Sequence, residues 1–446
     1  MSDKEDPFEN IPEAITNLVN MNYPNESQEI FSGDIYLKSP NKDITLIDGK
    51  IEFVWLPQPK VTFRGIGNFS FEIFSIMDQD DFEVIIQSQS IGKAFISSSD
   101  GNNLSGFITG SKIVIGETNN AINKVTFGIP NLREFYGEPI KSNAVSYLGR
   151  LNLENENFII TIDKNPFFKK YHTNLKNIGG YQILYSGEIV SKNGIFKSKE
   201  IEEIRTICDI FFSFINGRKT SMLFLKGFNN ENLVWEDFTP YNKVDAFKHV
   251  MSWPQFSSGL NFNEIWGNFV KIGSTDMGKD FLNSVIHWYT TSNMNLALVE
   301  GSIILSQTAL ELLYNYLIVE TEGFIKGDDS KNITAANKLR MFLTFSKINC
   351  SIPNKFIKLS EFIRSDNNFK NNEIEGLINI RNCIVHSQLE KRKKLKKIDN
   401  GVLVETSQLF MYFIELGLLR VLGYKGKFLN RCSGNEEYVP WVTAEE

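Results

Sequence analysis

The chain is poor in cysteine: Cys208, Cys350, Cys383 and Cys432 are four among 446 residues, with no CxxC pair and no regular spacing. That pattern excludes a disulfide framework and a zinc knuckle, and makes a reducing compartment the expectation. Histidine is equally scarce. His172, His249, His287 and His386 stand far apart, none in a ligand-type pair, and no HExxH occurs, so no metal is expected. FRGIGNF (Phe63–Phe69) has two glycines but neither a third at fingerprint spacing nor a Lys-Ser/Thr ending, and there is no GxSxG elbow. It reads as a turn, and no cofactor is expected. Neither sign of charge dominates: 47 Lys and Arg against 53 Asp and Glu give a formal charge of −6, which excludes a basic nucleic-acid binder as a description of the whole chain. With 42% hydrophobic and 13% aromatic residues, a disordered acidic chain is excluded as well. The start, MSDKEDPFEN, lacks the basic-then-apolar order of a signal peptide. Ile303–Val319 is the strongest candidate for a membrane span, yet it contains Gln307, Glu311 and Asn315, each costly at bilayer depth. A buried helix of a water-soluble, cytoplasmic protein is the expectation, with no membrane partner.

What is present falls into two classes. After a short amphipathic stretch (Ile11–Val19), runs such as ITLIDGKIEFVWLP, KVTFRG, FEVIIQ, KIVIGE, KVTFGI, FIITID and YQILYSGEIV alternate with Gly, Asn, Asp and Pro clusters up to about Phe238. Within them Phe53, Trp55, Phe63, Phe69 and Phe71 sit at the alternating positions that a core requires, in preference to a nucleic-acid stacking platform. One helix interrupts, since KSKEIEEIRTICDIFFSFI places Ile201, Ile204, Ile207, Cys208 and Phe211 on one face. From about Asn263 the period changes. Asp280–Thr290, Asn295–Glu320, Asn332–Lys347, Asn354–Arg364, Asn371–Leu395 and Val402–Leu422 read as helices, often opening at Asn or Asp. The charge divides similarly, with net −7 in residues 1–250 and +1 in the remainder. The expected fold is α+β multidomain: an antiparallel β-rich domain, sandwich- or barrel-like, over 1–250, a connecting segment over 251–279, and an all-α bundle over 280–446.

In NNEIEGLINIRNCIVHSQLEKRKK, Ile374, Leu377, Ile378, Ile384 and Val385 form one apolar stripe, and Arg381 falls inside it. A guanidinium facing a core is costly unless it is paired or lines a polar cleft. Asn382 and His386, four residues apart, are expected as neighbours on an adjoining face. The helix Asn295–Glu320 repeats the anomaly, because Gln307 and Glu311 stand in the stripe of Ile303, Ile304, Leu310, Tyr314, Leu317 and Ile318. An ion pair between Glu311 and Arg381 is the expectation that follows.

RNCIVH (Arg381–His386) fits an R-x4-6-H pattern with a polar residue after the Arg, and here the chain resembles the HEPN superfamily, whose helical domains are often metal-independent RNases. ALELL (Ala309–Leu313), LGYKGKFLNR (Leu422–Arg431) and VPW (Val439–Trp441) are similar to the ApeA-like HEPN branch of bacterial anti-phage proteins. DGKIEFVWLPQPKVTFRG (Asp48–Gly65) is similar to the N-terminal domain that accompanies this branch. The resemblance implies a metal-independent endoribonuclease of abortive-infection defence, with Arg381, Asn382 and His386 as catalytic residues and Glu311 supporting them. It also implies 2′,3′-cyclic phosphate ends and a homodimer, or a higher even oligomer, with the cleft at the HEPN interface.

RNA supplies its own nucleophile, the 2′-hydroxyl, so such a site needs proton transfer, suited to a His of pKa about 6.5, and donors for the phosphorane, suited to Arg. One Arg and one His on a single helix enclose a phosphate poorly, whereas two copies across a dyad enclose it well. The run containing Lys391, Arg392, Lys393 and Lys394 reads equally as an RNA-backbone contact or as a solvated helix end. RNA, tRNA among the candidates, and a phage-derived trigger sensed by the β-rich part are the expected partners. Two other readings stay open: a non-catalytic HEPN module that binds RNA or protein beside a β ligand-sensing domain, and an enzyme whose site lies among the strands.

Overall fold

The computed structural model describes residues 11–16, 19, 21–40, 42–67, 82–117, 121–143, 145–240, 244–294, 298–365, 372–386 and 388–442. Phe69 and Phe71 lie outside them. The chain divides into two compact units, Met1–Asp209 with Thr220–Lys248 and Ile210–Lys219 with His249–Glu446. The first is antiparallel β and the second helical, an α+β multidomain fold.

Six strands of the first unit close into a barrel in the order β1-β2-β3-β6-β5-β4: β1 (Gln28–Lys38), β2 (Asp43–Val54), β3 (Lys60–Gly67), β4 (Phe82–Ile86), β5 (Gln89–Asp100) and β6 (Asn103–Thr109). Alternation decides which side chains face inward. In β3, Val61, Phe63, Gly65 and Gly67 are buried while Lys60, Thr62, Arg64 and Ile66 face outward. Phe53, Trp55 and Phe63 fill the interior, and the same apolar cluster continues through Tyr181 and Phe224. Gly106 on β6 permits the closure. A Cβ there would lie 2.1 Å from the Phe95 carbonyl oxygen and 2.7 Å from the Phe63 ring.

Eight more strands make an open antiparallel sheet, in the order β7-β14-β13-β8-β12-β11-β10-β9: β7 (Val114–Gly116), β8 (Lys124–Pro130), β9 (Glu138–Ser142), β10 (Val145–Glu154), β11 (Phe158–Lys164), β12 (Ile183–Ser191), β13 (Leu223–Asn229) and β14 (Asn232–Asp237). All the runs read as strands from the sequence are strands. Residues 11–16, from the amphipathic stretch, run extended beside β9, where Ala14 N–H donates to Lys141 O at 2.8 Å and Ile15 N–H to Asp163 Oδ2 at 2.7 Å. Two helices belong to this region: α1 (Phe168–Ile178), which the periodicity did not announce, and α2 (Ser198–Asn216), which it did.

The helical unit begins with the end of α2, where Phe211 stacks edge-on with Phe262, Trp266 and Phe269. It continues with α3 (Phe262–Gly273), α4 (Asp276–Asn293), α5 (Val299–Tyr314, prolonged by the π-helical Asn315–Thr321), α6 (Ala335–Phe345), α7 (Ile357–Ser365), α8 (Glu373–Val385), α9 (Leu389–Leu395) and α10 (Asn400–Val421). The stretch 251–279 is thus part of this unit and carries α3, where the sequence suggested a connector. A hairpin, β15 (Lys427–Leu429) with β16 (Glu436–Tyr438), adds two short strands to what read as all-α. Helices α4, α5 and α10 approach closely through small residues: the hydroxyls of Ser292, Ser302, Ser306 and Ser407 link to one another at 2.6–2.9 Å. Val299–Thr321 and Asn400–Val421 are long and apolar enough to cross a membrane, but 56% and 78% of their apolar windows are buried within the fold. Core helices meet the same criterion.

Candidate active site on helix α8

Helix α8 starts where Asn372 accepts the Glu375 N–H in its side chain at 3.3 Å, with Glu373 and Glu375 favouring the positive end of the helix dipole. Ile374, Gly376, Leu377, Ile378, Ile380 and Cys383 face the core. Toward the C-terminus burial fades: Arg381 and Asn382 are half-buried, whereas Val385 and His386 are exposed. The Arg381 guanidinium is turned along its own helix, its Nη1 donating to Asn382 Oδ1 at 3.2 Å. Its Nε is buried and has no hydrogen-bond partner among the described residues.

The sequence suggested one helix from Asn371 to Leu395, and here the structure differs. His386 adopts φ −88°, ψ 119°, outside helical values, and its N–H closes the last turn onto Asn382 O at 3.1 Å. The chain then re-enters a helix, α9, from Gln388. No Gly or Pro marks this break, which arises from packing: α9 lies back on α8, Lys391 Nζ reaches Asn379 Oδ1 at 3.4 Å, and Ile398 beyond it is buried. His386 therefore stands at an elbow instead of on a continuous helical face. Arg381, Asn382 and His386 remain gathered within about one and a half turns of helix, at its exposed end.

Because α9 doubles back, its charge lies against the motif helix. Arg392, Lys393, Lys394, Lys396 and Lys397 are exposed, Lys391 is half-buried, and none forms an ion pair among the described residues. Burial pushes the Cys383 thiol up while Lys391 and Lys394 pull it partly back. Val385 and Leu389 flank His386, both apolar and exposed (41% and 59%).

The expected ion pair between Glu311 and Arg381 is not formed. Glu311, half-buried on α5, instead accepts from Gln307 Nε2 at 3.1 Å, one helical turn earlier. It lines a space of about 10 Å³ with Gln307, Leu310, Ala335, Lys338, Leu339 and Ile378. Ile378, on the same wall, is one turn before Arg381, which does not line that space. The buried ion pair of this unit is another one, which sequence reasoning missed. Glu415 on α10, fully buried, accepts Arg431 Nε and Nη2 at 2.9 and 2.6 Å and the Tyr289 hydroxyl at 2.8 Å. Its one sequence signal is a lone carboxylate amid LFMYFIELGLL. Among the described residues no group of three or more His, Cys, Asp and Glu side chains could hold a metal ion.

Residues 275–443 match the family described as the YopA C-terminal domain, and residues 117–250 the one described as the YopA central domain. The chain is similar over nearly its whole length to the SPbeta prophage-derived uncharacterized protein YopA of Bacillus subtilis (strain 168). The two are 27% identical over 442 residues, covering 94% of this chain and 96% of that protein. No solved structure matches the chain.

Proposed function

We propose that the chain is a metal-independent endoribonuclease of phage–host conflict, acting in the bacterial cytoplasm as a homodimer or higher even oligomer. The observation that carries the proposal is the placement of Arg381, Asn382 and His386 at the exposed end of α8, with six cations of α9 and its C-terminal extension, none in an ion pair among the described residues, folded back beside it. The matched family descriptions name no activity, so the reading rests on this site and on the HEPN resemblance. The prophage origin of the Bacillus relative supports the setting of phage–host conflict.

In this mechanism His386, exposed and free to reach substrate, moves the proton of the 2′-hydroxyl or of the leaving 5′-oxygen. Arg381 directs its forked donors at the nonbridging oxygens and offsets the charge that develops on phosphorus. Asn382 holds the guanidinium through the 3.2 Å hydrogen bond. The products carry a 2′,3′-cyclic phosphate and a 5′-hydroxyl. Val385 and Leu389 beside His386 suit a second copy packed across the elbow, which would bring two motifs around one phosphate. Lys391, Arg392, Lys393 and Lys394 contact the RNA backbone, and the β-rich unit receives a phage-derived trigger.

The test is cleavage of total RNA and defined tRNAs in EDTA by wild type and His386→Ala, with chemical identification of the new ends. Cyclic-phosphate ends from the wild type alone are expected; equal cleavage by both proteins refutes the assignment. One observation favours a second reading, a non-catalytic RNA- or protein-binding module: among the described residues no side-chain hydrogen bond orients the His386 imidazole. RNA binding without cleavage by an assembled oligomer would select it.

A further inference from the structure

The barrel interior is filled, so its outer surface is where it can meet a ligand. On that surface Phe95 of β5 pairs across the sheet with Phe107 of β6, and Phe107 with Thr62 of β3. The two phenyl rings stack with centroids 4.6 Å apart and planes 27° from parallel, and Phe95 is 54% exposed. Lys60 carries its ammonium over the Phe107 ring at 5.4 Å and has no acidic partner among the described residues. Strand periodicity places Lys93 beside Phe95 and Arg64 beside Thr62 on the same outward face. Arg64 is exposed and reaches Glu52 at 3.5 Å; Lys50 lies between Glu52 and Glu29, 3.1 Å from each, and Glu83 stands opposite Lys93 in the strand register.

We infer that this face is a binding platform for single-stranded nucleic acid. A base has a π-face that stacks on an exposed phenyl ring, and its phosphates need cations within one nucleotide's reach on either side. Both are present here: Phe95 and Phe107 at the centre, Lys60 toward one end of the strands and Arg64 toward the other. The net charge of −7 over residues 1–250 confines such binding to a local patch, the one lying between Lys60 and Arg64. A purely structural aromatic pair, which cross-strand packing also favours, would need neither the exposed ring nor the flanking charges. The platform belongs to the β-rich unit and stands independently of the ribonuclease proposal.

The test uses the full-length chain carrying His386→Ala, so that bound RNA is not consumed, with fluorescein-labelled 12-nucleotide single-stranded RNA, the same sequence as DNA, and an RNA duplex. Phe95→Ala with Phe107→Leu should weaken single-strand binding by about tenfold or more and leave duplex binding, which offers no free base face, unchanged. A second variant, Phe95→Trp, keeps the fold and should show indole emission quenched on adding unlabelled oligonucleotide. RNA and DNA equal in affinity would identify bases and phosphate as the recognised groups; RNA alone would add the 2′-hydroxyl. Unchanged single-strand affinity in the double variant, together with unquenched indole emission from the Phe95→Trp protein, overturns the inference.

Discussion

Replacing Arg431 with Met should open the helical unit far more than the loss of one surface charge would. Glu415 is wholly buried and has three hydrogen bonds, two from Arg431 and one from Tyr289. Arg431→Met leaves the carboxylate with the phenol alone, and the guanidinium's hydrogen bonds to the Met251 carbonyl and Asn293 Oδ1, both at 3.3 Å, go with it. Breaking a buried pair from one side costs about 3–5 kcal/mol, whereas replacing both charges with neutral groups is often close to neutral. Arg431→Met should therefore lose about 3–5 kcal/mol, and the double variant Glu415→Gln/Arg431→Met should recover most of it. A chain of two units does not unfold in one step, so the measurement is hydrogen exchange of the slowest amides in Asp276–Asn293 and Asn400–Val421. A loss below about 1 kcal/mol for the single variant, or a double variant as damaged as the sum of the two, would refute the reasoning.

Four further outcomes are expected. Burial pushes the Asp209 carboxyl up to about 6, against the pull of Arg205, the Ser221 hydroxyl and the Met222 N–H. Its proton binds the folded state more tightly than the unfolded one, so this contribution is full below about pH 3.8 and is lost as pH rises through about 6, a change of roughly 3 kcal/mol. Asp209→Asn should flatten that part of the stability profile, and parallel profiles would refute it. Glu311→Gln keeps an acceptor for Gln307 and breaks no ion pair, so cleavage should stay within about twofold of wild type; a tenfold loss would restore a direct role. Gly106→Ala must displace the Phe95 carbonyl or the Phe63 ring, and should cost the barrel about 1–3 kcal/mol in thermal or denaturant unfolding. Alanine at Lys391, Arg392, Lys393 and Lys394 should lower the slope of log affinity against log salt for single-stranded RNA by about 0.7 for each phosphate no longer neutralised; an unchanged slope would make these residues a solvated helix end.

The strands were legible because their inward residues alternate with polar ones, as Val61 and Phe63 do beside Thr62 and Arg64. The switch to helix was legible for the corresponding reason, a change of period near Asn263. Closure of six strands into a barrel was less so, since it depends on close approaches such as Gly106 against Phe95, which join residues on different strands. At the site, the motif residues could be named from the sequence, but their setting could not. The elbow at His386 has no breaker residue and exists because α9 packs by folding back, a tertiary preference that local propensity does not encode. The pairing of Glu311 with Arg381 failed on a similar point: helical spacing places a charge on a face but not at a level along its neighbour, and a glutamine one turn away met the carboxylate first. The Glu415 and Arg431 pair joins residues of which one lies beyond the last helix, in a segment where no period operates.

The helical unit draws Ile210–Lys219 from within the first half of the chain. Phe211 meets Phe262, Trp266 and Phe269, and Phe214 meets Trp253 and Tyr289, while Arg431 closes the same unit from the far end of the sequence. On the ribosome, the aromatic wedge at Phe211 emerges before any of its partners and stays without a home until the chain has grown past Phe269. The unit that holds the candidate site is completed only once Arg431 has followed as well. Nor can recombination exchange that unit by one cut: a fragment beginning after residue 249 arrives without the two phenylalanines on which its first tryptophans rest.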